Sequence, residues 1–127
     1  MTELMWSTPE TLRSLLCEVV SWKSMTLSDG EREFPYKIQS KLQNIPYFME
    51  HSELIELTDA DQGRKFLTAF YKHPQATETI VLISHFDTVN TEEYGDLEAL
   101  AFEPEMLTKA LHERKDELPD DARIDLE

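Results

Sequence analysis

The chain has 127 residues, 40% hydrophobic and 30% charged, with 26 acidic against 12 basic side chains and a formal net charge of -14. Such a balance lacks the basic face that neutralises phosphates or docks on anionic lipid, so neither nucleic acid nor a membrane surface is an expected partner. Its one cysteine, Cys17, excludes an intrachain disulfide and a cysteine zinc cluster.

About a quarter of the residues are Leu, Ile, Val or Phe, above the roughly 20% below which chains tend to stay disordered. One domain over residues 1–127, with a modest core and no second domain, is therefore expected. The opening MTELMWSTPE has neither a basic segment nor an apolar core, and no apolar run approaches the roughly 18 residues of a membrane span. A cytoplasmic protein is the expectation. Ser7, Thr8, Pro9 and Glu10 predict a helix start, Ser7 and Glu10 forming a capping box and Pro9 lying in the first turn. Leu12, Leu15, Leu16, Val19 and Val20 follow at helical spacing to about Trp22, with Cys17 on the apolar face as a buried, inert thiol. After a polar loop over 23–30, Ser28 and Glu31 cap a second helix whose face is Phe34, Ile38, Leu42 and Ile45. Pro35 fits that helix only in its first turn, and Pro46 ends it.

The period then changes. Residues 53–57 predict a short strand, 59–63 a turn, and 65–72, with Phe66, Leu67, Phe70 and Tyr71, a second strand. His73-Pro74-Gln75 turns the chain. Residues 79–83, Thr-Ile-Val-Leu-Ile, are apolar at four consecutive positions, the pattern of a strand buried on both faces at the centre of a helix-covered sheet. A loop or short helical turn over 91–101 precedes a third helix from Pro104 to about Glu117, with Met106, Leu107, Ala110 and Leu111 on one side. Pro119 breaks it, and an acidic end follows. The elements together predict an α/β fold, a sheet sandwiched by helices.

His85 and Asp87 stand just past the carboxyl end of the 79–83 strand, where sheets of this class gather ligands. An imidazole nitrogen is a good zinc ligand, and a ligating histidine needs a carboxylate or carbonyl to fix its tautomer. Residues two apart in an extended chain point to the same side, so the pair could act together. Four His and nine Asp in 127 residues make a chance His-x-Asp expected about 0.3 times. From the residues alone, a histidine bonded at a strand end beside a turn-capping Asp87 is the alternative to a metal ligand. His51, His73 and His112 sit in surface-type contexts and are expected to be structural or solvated.

The stretch ETIVLISHFDTVN resembles the first metal motif of the aminoacylase, acetylornithine deacetylase, succinyl-diaminopimelate desuccinylase and carboxypeptidase family of zinc peptidases, where an apolar strand runs into His-x-Asp-x-Val. NTEEYGDLEALAFEPEMLTKAL, VSWKSMTLSDGE and NIPYF are similar to the RocB-like, arginine-utilisation branch, and the likeness covers nearly the whole chain. The resemblance implies the N-terminal part of a helix-covered mixed β-sheet, incomplete in this chain. It implies zinc-dependent hydrolysis of an amide or peptide bond in a small acyl-amino-acid or peptide substrate, with two zinc ions per site. His85 matches a ligand of one zinc, and Asp87 matches the catalytic aspartate that orients the metal-site groups. The family's later Gly-x-x-Asp-x-Lys motif is not begun by Gly30, Gly63 or Gly95, and one histidine cannot close a site of about four ligands. The isolated chain is therefore expected to be inactive, to bind zinc weakly and, with a sheet edge uncovered, to self-associate. A non-catalytic acidic binding or regulatory module, and a different metal hydrolase acting on a phosphoester, are the competing expectations.

Overall fold

A computed structural model describes residues 6–126. They form two compact units, one from the described residues up to Lys23 together with those from Asn90 onward, the other Ser24–Val89. In the first, helix α1 (Pro9–Val20) is capped by Thr8 instead of Ser7. The Thr8 hydroxyl accepts from the Thr11 amide at 3.2 Å, while the Thr11 hydroxyl accepts from the Thr8 amide at 3.1 Å. The reciprocal cap is thus present one residue later than predicted, with Thr11 in the role expected of Glu10.

Residues 92–100 coil as a 3-10 segment, and α4 (Pro104–Glu113) follows with Pro104 in its first turn. Arg114 pairs with Asp96 at 2.7 Å. Helix α4 stops short of the predicted end, and Pro119 caps a further short helix, α5 (Asp120–Asp125), instead of only ending the previous one. A proline there lacks only an N–H that a first turn leaves unbonded anyway. None of these helices has a buried residue among those described, and Cys17 is half-buried, not buried.

The second unit holds the core. Helix α2 (Asp29–Leu42) starts at the Ser28 cap, whose hydroxyl accepts from the Glu31 amide at 3.1 Å. It runs on through Pro35 in its second turn. That proline sacrifices one backbone bond, but its ring is fully buried and fills the core. Pro46 does not simply end the helix; it opens the short α3 (Pro46–Glu50). Strands β1 (Ile55–Asp59) and β2 (Lys65–Ala69) form an antiparallel hairpin in register from Ile55↔Ala69 to Asp59↔Lys65. Gln62 and Gly63 turn the chain with positive φ, a region that costs glycine little. Helix α2 lies against both strands, and Phe34, Phe48 and Ile55 are the buried hydrophobic side chains among the described residues.

The predicted strand over 79–83 is not formed. Those residues carry no secondary structure, and Ile80, Leu82 and Ile83 are 87%, 92% and 91% exposed. The reason is pairing: β1 and β2 satisfy one another in a hairpin, and no described segment lies beside 79–83 to take its backbone groups. The expected sandwich is therefore, over the described residues, a helix-rich fold with one two-stranded sheet. No described helix is long and apolar enough to cross a membrane.

Candidate functional site

After the open stretch, residues 86–88 are tied to the loop before α2 within the same unit. Thr88 and Met25 form an isolated parallel bridge: the Thr88 amide donates to the Ser24 carbonyl at 3.0 Å, and the Thr26 amide to the Thr88 carbonyl at 2.9 Å. Ser24 is buried, and its hydroxyl donates to the Phe86 carbonyl at 2.6 Å. The Phe86 ring stacks on Phe34 of α2 with centroids 4.5 Å apart and planes within 5°. Asp87 thus lies between a half-buried ring stacked on the core and a bridged backbone, with His85 one residue before that ring.

The two predicted site residues do come together. Nδ1 of His85 lies 3.2 Å from Oδ1 of Asp87 and 3.1 Å from the Asp87 carbonyl. Both are acceptors, so the hydrogen belongs on Nδ1, and Nε2 is the nitrogen left for a ligand. The His85 side chain is 86% exposed and that of Asp87 38%, so the imidazole is open to a ligand while its carboxylate is partly sheltered. This is the carboxylate–histidine arrangement that raises ligand basicity at metal sites.

Asp87 has a second partner that its sequence neighbourhood does not announce. Oδ2 accepts from the hydroxyl of Thr26 at 3.0 Å. That bond is the main cause that holds the Asp87 carboxyl below the ordinary range; partial burial opposes it, and His85 adds to it. A carboxyl lowered on folding stabilises the folded form above its unfolded pKa of about 3.9 and loses that contribution as pH falls through the folded value. A carbon-13 titration of the Asp87 carboxyl is therefore expected to show a midpoint below about 3.9; one at or above it would refute the Thr26 contact.

No three His, Cys, Asp or Glu side chains gather in a metal-holding group among the described residues. One imidazole with an orienting carboxylate does not by itself close a zinc centre, which takes about four ligands. The other three histidines stand in local settings of their own. His51 packs by Tyr47 and lies 3.6 Å from Glu53, Nδ1 of the exposed His73 accepts from the Gln75 amide at 3.2 Å, and His112 is exposed in the last turn of α4.

The chain is similar to the uncharacterized protein YqjN of Bacillus subtilis (strain 168), 37% identical over 122 residues that make up 96% of this chain and 22% of YqjN. It is also similar to protein RocB of the same organism, 29% identical over 104 residues, 79% of this chain and 18% of RocB. The chain thus spans about a fifth of the length of these curated relatives. No family profile matches it, and no solved structure does.

Proposed function

We propose that this chain is a segment of the catalytic domain of a zinc-dependent hydrolase of amide or peptide bonds, related to RocB, whose substrate is a small acyl-amino acid or peptide. In that reading it is the N-terminal part of a mixed sheet, and 79–83, open in this chain, pairs as a strand only where other segments of a longer protein lie beside it. His85 is a metal ligand through Nε2, and Asp87 orients it. The observation that carries the reading is the His85–Asp87 hydrogen bond at 3.2 Å on Nδ1, with the imidazole open to a ligand. The similarity to RocB over 79% of the chain supports it. Metal ions of such a centre activate water and polarise the scissile carbonyl. This chain contributes the orientation of one ligand, and the remaining ligands and the general base belong to other segments.

Two outcomes follow. The 127-residue chain with added zinc is expected to leave N-acetylarginine and other acyl-amino acids unhydrolysed, since it cannot close the site. A longer protein that contains it is expected to hydrolyse them, to lose turnover on His85→Ala, and to lose zinc affinity about 10–100-fold on Asp87→Asn. Hydrolysis by the short chain that disappears with His85→Ala would defeat the claim that the site is incomplete. A longer protein that holds no zinc would defeat the metal reading and favour the binding module.

A further inference from the structure

The carboxylate that orients His85 is itself held from behind, by a residue 61 positions earlier in the chain. Thr26 Oγ1 lies 3.0 Å from Asp87 Oδ2 and also 3.0 Å from the Thr88 carbonyl, yet a hydroxyl has one hydrogen to give. The Thr88 carbonyl already receives the Thr26 backbone amide at 2.9 Å. Asp87 Oδ2 is charged, and a charged acceptor makes the stronger bond. The hydroxyl hydrogen therefore goes to Asp87. The last torsion of an aspartate is broad and poorly determined by its own chain. With Oδ2 tied to Thr26, the carboxylate plane is set and Oδ1 faces Nδ1 of His85.

We infer that Thr26 is a positioning residue: by tying down Asp87 it biases His85 toward the tautomer with hydrogen on Nδ1, which keeps Nε2 free to bind a ligand. The use of Nε2 for a metal rests on the proposed function; the tautomer bias does not. Thr26 lies in the loop before α2, next to the Met25–Thr88 bridge, so the fold itself carries it to the site.

The test is the tautomer of His85 in the nitrogen-15-labelled 127-residue chain, read from long-range proton–nitrogen spectra at a pH of about 8, where an ordinary imidazole is neutral. The native chain is expected to show mainly the Nδ1–H form. Thr26→Val keeps the backbone amide and removes the hydroxyl, and is expected to move the tautomer ratio by about 2- to 10-fold, the worth of one hydrogen bond. The Asp87 carbonyl at 3.1 Å supports the same tautomer, so the bias should weaken and not vanish. Thr26→Ser is expected to restore it. An unchanged ratio in Thr26→Val, with the Thr88 and Met25 amide signals in place, overturns the inference, as does a serine variant that behaves like valine. If valine disturbs the bridge, Thr26→Ala removes the same hydroxyl and is read in the same way. A native bias toward Nδ1–H that weakens when the hydroxyl is removed sustains the role of Thr26 even if a longer protein binds no zinc.

Discussion

Phe34→Ala is expected to cost the Ser24–Val89 unit about 3–5 kcal/mol, the usual range for deleting a buried aromatic ring. Phe34 is 6% exposed and belongs to a small buried set with Phe48, Ile55 and Pro35. Its ring also lies flat on Phe86, a contact worth about 0.5–1.5 kcal/mol beyond the area it buries. A core in a unit this small rarely supplies more than about 3–5 kcal/mol, so the variant should be largely unfolded at ambient temperature. Chemical denaturation followed through the hairpin amides checks this, and Phe34→Leu should lose distinctly less. A native midpoint in Phe34→Ala would mean that the core does not depend on this ring. The same substitution should disorder the His85–Asp87 pair, because Phe86 is the neighbouring anchor.

The second large effect concerns residues 79–83. Four adjacent apolar side chains, Ile80, Val81, Leu82 and Ile83, are 72–92% exposed, and burying each is worth about 1.5–3 kcal/mol. Association costs about 4–15 kcal/mol in lost freedom, so pairing between copies should be concentration-dependent rather than irreversible. An antiparallel arrangement sets each Glu78 toward the His85 end of its partner, whereas parallel in-register pairing would stack glutamates. The net charge of -14 opposes approach, and salt screens that repulsion within about 10 Å at 0.1 M. Sedimentation should therefore show self-association that increases with salt and is abolished by Leu82→Lys. A chain that stays monomeric at high concentration and high salt would contradict it.

Helix positions were largely legible because capping and amphipathic spacing act over a few residues. Ser28 caps α2 as its spacing with Glu31 predicts, and α1 and α4 follow their apolar stripes. The first cap is Thr8 and not the intrinsically better capper Ser7; with Thr8 as cap, Pro9 takes the first helical position that suits its fixed φ. Pro46 and Pro119 read as stops because proline cannot continue a helix, yet each serves equally well at the start of the next. Pro35 was restricted to a first turn by the same rule, and burial of its ring overrode it. The strand, turn and strand over 53–72 are legible in kind but not in bounds: β1 is Ile55–Asp59 and not 53–57, the turn begins after Asp59, and β2 ends at Ala69, short of 72.

By itself, the sequence determined what local chemistry can specify: the helices, the hairpin, the exclusion of a disulfide within these 127 residues, and the His85–Asp87 pair, whose members sit two apart on one short segment. Only the tertiary structure decided that Thr26 reaches Asp87, that Phe34 underpins Phe86, and that 79–83 lies open and unpaired. The physical reason is range. A cap or a His-x-Asp contact is closed by neighbours in the chain, whereas a strand's burial and a carboxylate's second partner depend on what distant residues bring to it. The apolar run at 79–83 records a demand for cover, and a demand does not name its supplier.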